Sequence, residues 1–223
     1  MFFSMSQLMQ LVMGYSPLEA SLLTVPLMLP MMFIGPFIPN VVKKFGARMT
    51  ISVGLLLTAI AFAYMSTWTK DMTYWHLFGT MIVMMLGISA AMTPGTNILM
   101  ASVPRNRSGM GSAMNDTTRE LGGALGVAVL GAVLSATYEK EIRETAANFV
   151  GPIKEGLESS LAVALNVAEQ LGPAAQSVSD AAMDAFMSGV SQAAIIGAAI
   201  IFASAVIAFV WLPKTHKADD DTI

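Results

Sequence analysis

Six stretches of this chain run without a charged residue: 1–18, 20–42, 49–69, 72–104, 121–138 and 185–213. A helix needs about 20 residues to cross ~30 Å of hydrocarbon, and roughly 18 uncharged residues in a row mark a candidate. A soluble fold of 223 residues has no means of hiding that much continuous apolar surface. Composition agrees: 12% of residues are charged, about half the share in ordinary soluble domains. The pattern predicts an all-α polytopic membrane protein. Its bundle covers residues 1–213, with spans near 1–15, 18–40, 48–68, 74–102, 111–138 and 188–212, a loop at 139–187 and a tail at 214–223.

The same composition excludes several chemistries. The chain has no cysteine, which removes disulfides, thiolate nucleophiles and sulfur-ligated metals. His76 and His216 are far apart and lack a second ligand at helical spacing, so neither a metal nor another cofactor is expected. No nucleophile–base pair or phosphate loop points to an enzyme, and no nucleic-acid partner is expected. Met1 opens directly into apolar sequence with no basic lead. That argues against a cleaved signal peptide and suggests a chain cut from something longer.

Basic residues set the orientation. Lys43, Lys44 and Arg48 lie between the second and third runs, Arg105 and Arg107 between the fourth and fifth, and Lys214 and Lys217 after the sixth. The opposite side holds Lys70 in a short link, then Lys140, Arg143 and Lys154 in a long acidic loop. The positive-inside rule makes the first set cytoplasmic, with the start and the tail on that side. Trp68, Tyr74 and Trp75 then form an outer aromatic belt and Trp211 an inner one. In the long loop, Ile153, Leu157, Leu161, Leu165, Ala168 and Leu171 recur at helical spacing. They predict a short amphipathic helix on the outer face, either a cap over the mouth or, preferred, part of a solvated spacer.

Candidate functional residues are few. Pro17, Pro26, Pro30, Pro36 and Pro39 predict a bent second span, with Pro17 starting the helix and Pro39 ending it. Residues 109–138 predict one helix of about 45 Å, on which Asp116, Arg119 and Glu120 share a face at the cytoplasmic end. There Arg119 would neutralise one carboxylate and leave the other to titrate. Two readings stand: a proton-carrying site on a watered path, or a solvated cluster at headgroup level. Gly122, Gly123, Gly126 and Gly131 give the next turns a small face suited to close helix packing. Gln7 and Gln10, three apart, and Asn97 are candidate cavity-lining amides, though isolated amides also serve as interhelical hydrogen bonds.

Gly14-Tyr15-Ser16-Pro17-Leu18-Glu19-Ala20 resembles the signature before a span in the C-terminal half of EmrB/QacA-type drug:proton antiporters, the 14-helix branch of the major facilitator superfamily. The run from Arg119 to Ala128 is similar to that family's glycine-rich motif in its penultimate helix. Residues 39–48 look like a degenerate copy of the superfamily's cytoplasmic loop, keeping Lys44, Gly46 and Arg48 but with Lys43 where an acid is usual. The resemblance implies a six-helix half of a facilitator bundle in a plasma (inner) membrane, with the N-terminal half of the transporter as its missing partner. It further implies export of small lipophilic or cationic drugs in exchange for protons. Asp116 and Glu120 would carry the coupling with Arg119, and Lys43, Lys44, Gly46 and Arg48 would form the cytoplasmic gate. A facilitator carrier for another solute and a non-transporting membrane fragment are the alternatives.

Overall fold

Ser16 opens the first long helix with a capping box. Its backbone N–H donates to Glu19 Oε2 at 2.9 Å, its hydroxyl donates to the same oxygen at 2.8 Å, and the Glu19 N–H reaches back to Ser16 Oγ at 3.3 Å. Pro17, the first helical residue, has no N–H to satisfy. Gly14, at φ 73°, makes the turn before it, in a region of backbone space that a Cβ disfavours.

The computed structural model describes residues 2–213; Met1 and the expected tail with Lys214, His216 and Lys217 lie outside that range. The regular elements are α1 (Phe2–Gln7), extended by a π-helical turn (Leu8–Val12), α2 (Pro17–Ile34), α3 (Ile38–Phe45), α4 (Ala47–Met65) and α5 (Tyr74–Ala101). After a 3-10 turn come α6 (Ser108–Ala146), α7 (Pro152–Ser159), α8 (Leu161–Ala168) and α9 (Ala175–Trp211). Five helical stretches among the described residues are long and apolar enough to cross a bilayer: Pro17–Phe45, Ala47–Met65, Tyr74–Ala101, Arg105–Ala146 and Leu161–Trp211. Where a sixth span is expected near 1–15, α1 and its π turn cover residues 2–12, about 16 Å at 1.5 Å per residue.

Two expectations about proline are refined. The second span is not one helix ending at Pro39: it breaks at a 3-10 turn, Gly35–Phe37, and Pro39 lies in the first turn of α3. The first turn tolerates proline because its N–H groups have no intrahelical acceptor. Downstream, α3 stops at Gly46, whose φ of 81° carries the chain into α4 while its N–H closes on the Val42 carbonyl at 2.8 Å.

The chain folds into two units. The first comprises residues 2–24, 63–76 and 125–196. Its core joins Tyr138, Ile142 and Ala146 on α6 with Leu157 on α7, Leu161, Ala164 and Ala168 on α8, and Val178, Ala182 and Ala185 on α9, each 3% exposed or less. Fully burying a leucine-sized side chain contributes about 1.5–3 kcal/mol, so this cluster is a substantial core. Tyr138 Oη donates to the Leu157 carbonyl at 2.9 Å. Residues 139–187 are thus a packed helical layer rather than the preferred solvated spacer. The expected single stripe is split at Ser160, which is extended (φ −171°, ψ 158°) and caps α8 by accepting from Val163 N–H. Leu157, Leu161 and Ala168 of the stripe are buried, while Ile153 is exposed.

The link between α4 and α5 is drawn onto α9. Lys70 Nζ meets Asp184 Oδ2 at 2.8 Å and Asp180 Oδ1 at 3.9 Å, and Ser191 Oγ donates to the Ser66 carbonyl at 2.7 Å. Trp68, expected in an outer belt, is instead 7% exposed between these ties, whereas Trp75 is 70% exposed.

The second unit comprises residues 25–62, 77–124 and 197–213. Here α4 and α5 cross through Gly54 and Gly87: a Cβ on Gly54 would lie 2.6 Å from the Gly87 carbonyl oxygen and 2.8 Å from the Ala91 nitrogen. Backbones that close leave room only for hydrogen, which is how apolar helices gain dispersion contact where lipid offers no hydrophobic drive. Met81, Met84, Met85 and Pro94 are buried along α5.

Candidate functional site

Three groups of polar residues survive as candidates, and they differ in how far the fold assembles them. The first is on α6. The helix runs unbroken for 39 residues, so Asp116, Arg119 and Glu120 do project from neighbouring turns. All three are exposed. The expected neutralisation of a carboxylate by Arg119 is not made, unlike the ion pairs of Lys70 with Asp180 and Asp184 and of Arg143 with Glu139. Asp116 and Arg119, three residues apart, share a face as their spacing expects, yet the two side chains do not meet, whereas Arg143, four residues after Glu139 in the favoured order, bonds it at 2.9 Å. Asp116 accepts instead from Asn115 Nδ2 at 3.3 Å.

The glycines that follow also stand clear: a Cβ at Gly122, Gly123, Gly126 or Gly131 would meet nothing within 4 Å among the described residues. Packing glycines are found at Gly54 and Gly87, and at Gly189, where a Cβ would lie 2.8 Å from the Leu134 carbonyl oxygen. Only 6% of the most apolar stretch of Arg105–Ala146 is buried, against 50% for Ala47–Met65. The most open helix therefore carries the acidic cluster and the glycine face together.

The second group surrounds the start of α2. A cavity of about 210 Å³ lies between α1 and α2, with Ser6, Gln10, Ser21 and Thr24 as its polar lining. Gln10 Nε2 donates to Ser6 Oγ at 2.9 Å, while Ser21 and Thr24 bond back to Pro17 and Ala20 carbonyls at 2.7 Å. Gln7 does not join this lining. The π turn from Leu8 to Val12 widens the helix and rotates Gln10 away from the α-helical register that would have paired the two amides. Ser6 and Gln10, four apart, carried the better signal in the sequence; Ser21 and Thr24 carried none beyond their polarity. Asn97 lies one turn beyond Pro94 on α5, exposed.

The third group is the basic corner. Lys43 and Lys44 are exposed in the last turn of α3, and Arg48 is in the first turn of α4. Its guanidinium carbon stands 4.5 Å from the centre of the Phe209 ring of α9, and Lys44 Nζ stands 5.3 Å from that of Phe45, both within cation–π range. No group of three or more His, Asp or Glu side chains among the described residues is arranged to hold a metal.

Comparison with known proteins gives these features a family. The model of the Major Facilitator Superfamily matches residues 1–141. The multidrug efflux pump LfrA of Mycolicibacterium smegmatis is 31% identical over 210 residues, covering 92% of this chain and 41% of the relative. The methyl viologen resistance protein SmvA of Salmonella typhimurium is 30% identical over 82% of this chain and 37% of its own length. The tetracenomycin C resistance and export protein of Streptomyces glaucescens is 27% identical over 96% and 40%. The chain spans about two fifths of the length of these relatives. With its apolar helices and all-helical fold, it is a multi-pass membrane protein of a transporter family rather than an enzyme, and it belongs to the Major Facilitator Superfamily.

Proposed function

We propose that the chain is the C-terminal half of a 14-helix, EmrB/QacA-type exporter that expels lipophilic or cationic drugs in exchange for protons. In this reading residues 1–213 form its last six spans in the plasma membrane, 139–187 lie outside, and the 214–223 tail is cytoplasmic. The observation that carries the proposal is the open face of α6. A glycine face with nothing against it, on a chain that spans two fifths of its relatives' length, fits a surface made to receive the other half of a rocking transporter.

Asp116 and Glu120 then become coupling groups through cover rather than through Arg119. Exposed in this chain, they are desolvated when the missing half closes over α6, and desolvation favours the protonated carboxyl. Opening toward water returns the charge. Lys43 and Lys44, joined to α4 by the turn at Gly46, form the cytoplasmic gate with Arg48 at its edge, and Gln10 and Asn97 line the substrate path. The names of the relatives, which include a multidrug efflux pump and a methyl viologen resistance protein, support drugs as cargo.

The test is dye efflux from cells carrying the full-length protein, its Asp116→Asn and Glu120→Gln variants, and this chain by itself. The expected result is export by the full-length protein, at least tenfold loss in one or both variants, and none by the chain alone. Undiminished export in both variants would remove the coupling role, and export by the chain alone would remove the need for a second half.

A further inference from the structure

Within the second unit, α4 and α9 leave an open groove of about 280 Å³ lined by Val53, Leu56, Phe202, Val206, Phe209 and, as its polar member, Ser52. Most of its rim is exposed: Val53 46%, Phe202 53%, Val206 47% and Phe209 47%. Ser52 is different. The residue is 7% exposed, and its hydroxyl has no hydrogen-bond partner among the described residues. Threonines on the same helix satisfy theirs on carbonyls one turn back, Thr50 on Gly46 and Thr58 on Gly54. A buried hydroxyl left unmade is costly, but this one is sealed beneath its neighbours, so the surface of the groove itself is wholly apolar. One turn before it, at the end of the groove, Arg48 lies over Phe209.

A cation in the first turn of a helix opposes the helix dipole, so Arg48 is poorly placed for the stability of α4. It is well placed to meet an anion. The ring of Phe209 packs against the guanidinium, whose forked donors suit a phosphate.

We propose that the groove between α4 and α9 binds an anionic phospholipid, its phosphate held by Arg48 and an acyl chain laid along Val53, Leu56, Phe202 and Val206. Charge selects this occupant. A cationic drug is repelled by Arg48, and a zwitterionic lipid such as phosphatidylcholine offers the same phosphate but sets its choline cation beside Arg48 and the exposed Lys43 and Lys44, which an anionic headgroup does not. The inference rests on α4 and α9 crossing the membrane, and not on the export proposal.

The experiment is native mass spectrometry of the full-length protein released from detergent with added phosphatidylglycerol or phosphatidylcholine. The wild type is expected to retain phosphatidylglycerol in preference, and Arg48→Ala to lose that preference about five-fold. Equal retention of the two lipids, or an unchanged preference in folded Arg48→Ala, overturns the proposal. Should Arg48→Ala fail to fold, a fluorophore on Val206→Cys decides the matter, since the chain has no other cysteine. Stronger quenching by brominated phosphatidylglycerol than by brominated phosphatidylcholine supports the site. Equal quenching, or protection from both by another protein segment, overturns it.

Discussion

The two ends of α6 are built to opposite rules. From Tyr138 to Ala146 the helix buries every fourth residue, and Tyr138, Ile142 and Ala146 are each 3% exposed or less against α7, α8 and α9. From Asp116 to Gly126 the same helix carries exposed charge, then glycines with nothing against them among the described residues. One continuous backbone therefore joins a fixed anchor to an open surface. What the difference teaches is where to look for function: at the end that the chain's own packing leaves unsatisfied.

The largest effect expected from pressing on this contrast comes from one substitution made twice. Gly87→Leu forces a side chain into the Gly54 backbone and should cost about 3 kcal/mol or more, seen as loss of the monodisperse species on size exclusion. Gly126→Leu meets open space, and should leave the thermal midpoint of the chain nearly unchanged. Equal losses would erase the distinction between packed and open faces. Next in size, Ile142→Ala empties a fully buried site and should destabilise the first unit by about 2–5 kcal/mol, read from denaturant unfolding. Tyr138→Phe removes only the hydrogen bond to Leu157 and should cost about 1–2 kcal/mol; no measurable change would mean that the ring, not the hydroxyl, anchors this end.

The smallest effect belongs to the tie at Lys70. Its hydrogen bond to Asp184, and the nearby charges of Asp180 and Asp71, raise the Lys70 pKa above its ordinary value. A raised lysine pKa means stability that is full at neutral pH and fades as pH climbs through the raised value. The thermal midpoint should fall slightly more at high pH in the wild type than in Lys70→Met, and a parallel fall in both would assign the tie no part.

Much of this architecture was legible before any coordinates. Uncharged runs marked the long helices because length and charge are local properties, and Pro17 marked a helix start because a first-turn proline forfeits no hydrogen bond. The missed features are those that depend on distant partners. Gly54 and Gly87 are single glycines in separate helices, each unremarked alone, and the crossing exists only when both are placed. The richer glycine run on α6 drew attention for packing, yet its glycines stand clear among the described residues. The 139–187 layer was misjudged because its alanines, such as Ala164 and Ala182, become core only once three helices converge on them. Arg48 read as one more gate charge until Phe209 came to lie beneath it.

The central claim is that the acidic turn of α6 is alternately covered and exposed by a part of the transporter outside this chain. A single cysteine beside that turn, Thr117→Cys, in the full-length protein otherwise free of cysteine, tests it most directly through labelling by a water-soluble maleimide in membrane vesicles. The account predicts that labelling rises and falls several-fold as a proton gradient or an exported cation is applied. Complete labelling at one constant rate under every condition would contradict it.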